Sequence, residues 1–236
     1  MKRFWTDVAV VPADPTGYAI TLDTRPVRTP MRLPLVLPTR ALADAVAAEW
    51  EAQGEEVDPR TMPMTGLSNA AIDRVMPDPA LFVDQIAAYA ETDLLCYRAD
   101  APNTLVARQA EAWDPLLAWA RTRYDVTLRV TTGIVHVAQP PETLARLRTA
   151  VAAHDAHALA ALSPLTTIAG SLIAALAVAD RHLDADTAFD LTHLDELWQV
   201  ERWGEDTLAT EARMLRKADF MAAARFLALS APSAAD

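Results

Sequence analysis

The chain has one cysteine, Cys96, so no intrachain disulfide can form and a reducing compartment fits. It has two lysines, Lys2 and Lys217; the other 19 of its 21 bases are arginine, a bias that fits high-GC bacterial coding rather than function. Only six glycines occur, and there is no G-x-G-x-x-G, Walker-type or G-x-S-x-G motif, which argues against a phosphate cradle and a nucleophile elbow. Acids outnumber bases, 32 to 21, for a net charge of -11. The chain therefore lacks the basic excess that sequence-independent nucleic-acid binding or docking on anionic lipid requires. The longest apolar run, "IAGSLIAALAVA" at 168–179, is too short for a bilayer, which takes about twenty residues. "MKRFWTDVAV" runs straight into an apolar alternation, with no signal or transit peptide ahead of it; a cytoplasmic protein is expected.

What is present is a core. Apolar residues make up 52% of 236 positions, which excludes disorder. Ten of 16 prolines lie at or before Pro79, so the first third reads as short strands and turns. "FWTDVAVV", "GYAITLDT", "RPVRTP" and "LPLVLP" are the candidate strands. One helix follows, with Thr39 as N-cap, Gly54 as stop, and Leu42, Ala45, Val46 and Glu49 or Trp50 at helical spacing. Beyond Pro79 the pattern turns helical, near 79–91, 103–123, 141–160, 163–181, 185–203 and 205–229. Pro115 should kink or split the second of these, and Ser163-Pro164 should start the fourth, the apolar centre of the bundle. "DLLCYRA" and "VTLRVTTGIVHV" are β-rich interruptions. The fold class is α+β: a small β-rich N-terminal domain with one helix, 1–76, then a larger, mainly α-helical bundle domain, 77–236.

The segment "DELWQVERWGED", 195–206, sets two tryptophans among five acids and one arginine. Helical spacing from Leu194 runs through Trp198, Glu201, Glu205, Leu208, Ala212, Leu215, Asp219, Ala222, Phe226 and Leu229 in steps of four and three. On one unbroken helix this seats Glu201 and Glu205 in an apolar seam, where each needs a counterpart. Two answers are open: an internal arginine (Arg74, Arg108 or Arg202), or a recognition surface with tryptophan anchors in an acidic rim, suited to an arginine-bearing partner. Gly204 offers a third geometry, a break that turns Glu205 and Asp206 outward as the acids of a new helix.

Catalytic chemistry finds little support. Glu201 and Glu205 are neighbours on one helix rather than a pair facing across a cleft, so a small-molecule hydrolase using these carboxylates is the alternative reading, not the main one. His154 and His157 form an H-x-x-H without a third ligand at a recognised spacing, and Cys96 in "LLCY" reads as a small core residue. Met62 and Met64 in "MPMTG" suit either an adaptable binding surface or, the favoured reading, core filling. No catalytic residue, metal site or cofactor is assigned.

Eight segments in order resemble a known family: "RFWTDVAV", "LDTRPVRTP", "LVLPTRALADAVAAEW", "SNAAIDRV", "ETDLLCYRA", "WDPLLAWA", "GSLIAALA" and "LDELWQVERWGED". Together they are similar to the ATP synthase F1-complex assembly chaperone of the alpha subunit, the assembly factor two family, with this chain resembling a bacterial member; the eukaryotic relatives work in the mitochondrial matrix. "PMRLPLVLP" departs from the family in lacking a glycine at its turn. The resemblance implies a non-enzymatic protein, monomeric when free, that binds the unassembled alpha subunit and shields its subunit interface until the beta subunit replaces the chaperone. It implies no nucleic-acid partner and no membrane insertion. The partner-binding residues it points to are Glu196 and Glu201, then Glu205 and Asp206, with Asp195, Trp198 and Trp203 beside them.

Overall fold

The computed structural model describes residues 2–232. The chain forms two compact units. One takes in residues up to Pro79 together with Asp155–Ala161 and the chain from Ala222 on; the other takes in Ala80–His154 and Leu162–Met221.

The first unit is built on an antiparallel sheet. β1 (Val8–Pro12) pairs with β2 (Tyr18–Leu22) in the register Val8↔Leu22 to Pro12↔Tyr18. β3 (Arg25–Pro26) and β4 (Val36–Leu37) also pair with β2, at Leu22↔Arg25 and Ala19↔Val36. β2 alternates half-buried and buried residues and puts Ile20 and Leu22 into the core, as a strand with one packed face does. α1 (Arg40–Glu51) starts where the sequence places it: Thr39 Oγ1 accepts from the Leu42 amide at 3.1 Å. Its inner face is Leu42, Ala43, Val46 and Trp50. Glu49 lies on the same helix, and its carboxylate accepts from the Met64 and Thr65 amides at 2.7 and 2.8 Å, fixing the start of α2 (Pro63–Ala70). Met62 and Met64 are buried in this core with Trp5, Leu35 and Ile72.

The turn that lacks a glycine is held by a distant carboxylate. Asp73 accepts from Thr29 Oγ1 at 2.6 Å and from the Met31 amide at 3.1 Å, while Arg32 sits at φ +65°. A left-handed arginine is strained by roughly 1 kcal/mol, partly matched by the greater chain entropy that glycine would lose on folding. Arg32→Gly is therefore expected to stabilise the protein by about 0.5 kcal/mol, read as a small rise in thermal midpoint; a fall would show that the arginine side chain outweighs its backbone.

The second unit begins with α3 (Pro79–Ala87), followed by a tight turn at Leu94–Cys96 and β5 (Tyr97–Arg98). α4 (Asn103–Tyr124) is continuous through Pro115. The expected split does not occur, because Trp113, Leu116 and Leu117 are buried on both sides of the proline and their packing outweighs its cost of about 3 kcal/mol. β6 (Thr131–Thr132) pairs in parallel with β5.

The expected helices at 141–160 and 163–181 are cut elsewhere. α5 (Pro141–Ala152) ends before Asp155, which caps the next helix by accepting from the Ala158 amide at 2.8 Å. α6 (Ala156–Ala169) carries Pro164 in its interior, so Ser163-Pro164 is not a start. Gly170 (φ +62°) ends α6, and Ser171 caps α7 (Leu172–Ala179) through the Ala174 amide at 3.0 Å. From Leu172 to Ala177 α7 has no exposed surface; it is the buried helix the sequence promised, started eight residues later. The 185–203 stretch divides at His193 into α8 (Ala185–Thr192) and α9 (Leu194–Trp203). α10 (Thr207–Ser230) completes the chain. Among the described residues no helix is long and apolar enough to cross a membrane.

Candidate functional site

The acidic segment is α9 and the junction to α10. α9 buries Leu194 and Trp198, while Asp195 and Glu196 in its first turn favour the helix dipole. It stops at Gly204, whose φ of +87° is open to glycine and costly for other residues. Asp206 then caps α10, accepting from the Ala209 amide at 2.8 Å. The helix is therefore broken at the glycine, and the single seam expected through Glu201 and Glu205 does not exist. Both are exposed.

The acids divide by partner. Glu201 takes a two-pronged hydrogen bond from Arg108 of α4, at 2.6 and 2.8 Å, both side chains being about half exposed. Those bonds hold its carboxyl below the usual range. Of the three arginines considered, Arg108 is its partner, at the surface rather than inside. Glu196 is bound by two arginines of α10: Arg216 at 2.7 Å and Arg213, itself only 12% exposed, at 3.3 Å. Asp195 accepts from the buried Gln109 at 2.7 Å. Glu205 is exposed and has no ion-pair partner among the described residues.

The tryptophans also divide. Trp198 is buried, with the Arg202 guanidinium 5.0 Å from its ring centre. Trp203 is 74% exposed and meets Trp198 edge-on at 5.7 Å. Sequence reasoning missed the large apolar side chains that α10 leaves in water after Trp203. Leu208 is 77%, Leu215 69% and Met214 66% exposed. It missed also that Arg213, Arg216 and Lys217, three cations at helical spacing, form the inner face of α10. Lys217 binds Asp186 and Asp190 of α8 at 2.8 and 2.9 Å. That cation spacing, opposite an acidic segment, was the available signal.

Other chemistry is closed off. Cys96 is fully buried, and burial pushes its thiol up to about 12, so no thiolate nucleophile forms near neutrality. His157 is buried against Phe226, 6.3 Å between ring centres, and burial lowers its pKa. Among the described residues no cluster of three or more His, Cys, Asp or Glu side chains is placed to hold a metal. A surface cleft of about 610 Å³ is lined by Arg123, Asp125, Arg146 and Asp180, but not by the acidic segment. Its arginines are already spent on Asp180 and Asp125, each at 2.6 Å.

Comparison with known proteins agrees with the motif reading. Residues 2–121 match the family model described as ATP12 chaperone protein. The structure is similar to the crystal structure of Atp12 from Paracoccus denitrificans, with a TM-score of 0.93 and 45% identity over 98% of both chains. It is similar also to the Atu1473 protein of Agrobacterium tumefaciens, with a TM-score of 0.92 and 42% identity over 96% of this chain and 85% of that one. The mitochondrial protein atp12 of Schizosaccharomyces pombe is 26% identical over 215 residues, 86% of this chain and 74% of that protein. This chain belongs to the ATP12 chaperone family, whose members are F1-ATPase assembly chaperones and not enzymes.

Proposed function

We propose that this protein binds the unassembled alpha subunit of the ATP synthase F1 head and shields its subunit interface until the beta subunit takes its place, acting as a monomer in the bacterial cytoplasm. The observation that carries this reading is Trp203: a tryptophan three-quarters exposed, beside a glycine break and next to the unpaired Glu205. A large aromatic left in water at an acidic edge fits a protein partner bearing arginine or lysine. A subunit awaiting its neighbour exposes an apolar face prone to aggregation, and a chaperone that covers it more weakly than the final neighbour is displaced by mass action, without ATP. In this division of labour Trp203, Glu205, Glu201 and Asp206 meet the client, while Asp195, Glu196 and Trp198 hold α9 in place.

Capture of purified free alpha subunit tests the reading. Trp203→Ala is expected to weaken capture by about tenfold or more, the scale of an interface anchor. Glu201→Gln is expected to leave the thermal midpoint unchanged, since its ion pair is exposed, and to weaken capture a few-fold, more at low salt than at high. Stable variants that capture the subunit as well as the parent would end the assignment. Addition of beta subunit to the complex should release the chaperone.

A further inference from the structure

The stripe that continues past Gly204 has an unusual fate. Phe226, near its far end, is completely buried in the core of the first unit. Leu208, Ala212 and Leu215, earlier on the same face of α10, are exposed. At 3.6 residues per turn these positions form one line, yet only its later part is covered. Arg213, Arg216 and Lys217, on the adjoining and opposite faces of α10, are already used in ion pairs to α8 and α9. Exposed acids surround the open line: Glu211 flanks it, Asp219 follows Leu215 along it, and Glu205 precedes the helix. Nothing about a solvated helix calls for leucine there.

We propose that Leu208–Leu215 of α10 is the seat of an amphipathic helix of the client, apolar along one side and flanked by Lys or Arg. Charge selects this occupant. The cations of this half of α10, Arg213, Arg216 and Lys217, are paired to α8 and α9, so the rim presents unpaired carboxylates, and a basic flank answers them. A second copy of this chain would bring the same acidic rim and a net charge of -11, so self-association is opposed. The apolar line supplies the grip and the acids set its direction and salt dependence. This deepens the alpha-subunit reading, on which the client's identity rests.

The test uses the full chain, a labelled amphipathic peptide of leucine and lysine, and free alpha subunit. Leu208→Ser/Leu215→Ser should fold as the parent does, because both side chains are largely exposed, and should bind peptide and subunit about ten- to a hundredfold more weakly. Glu205→Gln/Glu211→Gln/Asp219→Asn should weaken both and flatten their salt dependence. If the parent binds the subunit and the leucine variant binds it equally, the seat on α10 is wrong while the capture function stands. If the parent ignores the subunit but binds the peptide in a leucine-dependent way, the seat stands and the client assignment falls. Binding of both probes insensitive to both sets of substitutions, or no binding of either, overturns the proposal.

Discussion

Replacing Asp93 by alanine is expected to destabilise the protein by about 3–5 kcal/mol. Asp93 is fully buried. Its carboxylate accepts from the Leu95 amide at 3.1 Å and the Ile173 amide at 3.0 Å, and further hydrogen bonds come from Ser171 and Leu172. It thus ties the turn before β5 to the start of the buried helix α7. Alanine leaves these donors dry, at about 1–3 kcal/mol each, and the loss is offset in part because a charge is no longer buried. The fall in thermal midpoint should be on the order of 10 °C for a chain of this size. A fall of only a degree or two would mean that water takes over the site.

The same residue makes a pH prediction. Burial raises the Asp93 carboxyl to about 6, against the opposing hydrogen bonds of Ile173, Ser171, Leu95 and Leu172. The folded chain therefore holds this proton more tightly than the unfolded chain, where an aspartate titrates near 4. The group's contribution to stability is greatest below about pH 4 and is lost as pH rises through about 6. Urea unfolding of the parent and of Asp93→Asn, followed across that window, isolates the effect. The stability difference, parent minus variant, should shrink as pH rises, and a difference independent of pH would refute the assignment.

Glu196→Lys is expected to cost about 3 kcal/mol and to abolish capture of the client together with the apolar line on α10. Glu196 sits between Arg213 and Arg216 and is only 30% exposed. Lysine places a third positive charge where a carboxylate had joined α9 to α10, with Arg213 already mostly buried. Glu196→Gln keeps hydrogen bonding and should lose less stability. Glu201→Lys is the matched control: its partner Arg108 is exposed and free to swing away. If the two lysine variants prove equally stable, Glu196 is no more structural than Glu201. The measurement is denaturant unfolding of both beside the parent.

The motifs that carried the family resemblance turn out to be the fold's internal ties. Asp73 of "SNAAIDRV" holds the turn of "LDTRPVRTP". Asp93 of "ETDLLCYRA" holds "GSLIAALA" through Ile173. Arg98 of the same segment binds Asp114 of "WDPLLAWA" at 2.7 Å and lies 5.2 Å from the centre of the Trp113 ring. Each of these ties joins separate segments of the chain and needs both partners.

From its sequence alone this protein has its β-rich start, its mainly helical remainder, the Thr39 cap, a buried apolar helix, though not its start at Ser171, and the acidic stretch around two tryptophans. These follow from local rules: proline spacing, apolar period and capping chemistry act between residues a few positions apart. Tertiary structure decided which periodic faces are covered. The line from Leu194 to Leu229 has one period, but Gly204 breaks the backbone, Trp198 and Phe226 are packed, and Leu208 and Leu215 are left in water. Periodicity identifies an apolar face; only the presence or absence of a neighbour, set by contacts distant in sequence, determines whether it is a core or a surface awaiting a partner.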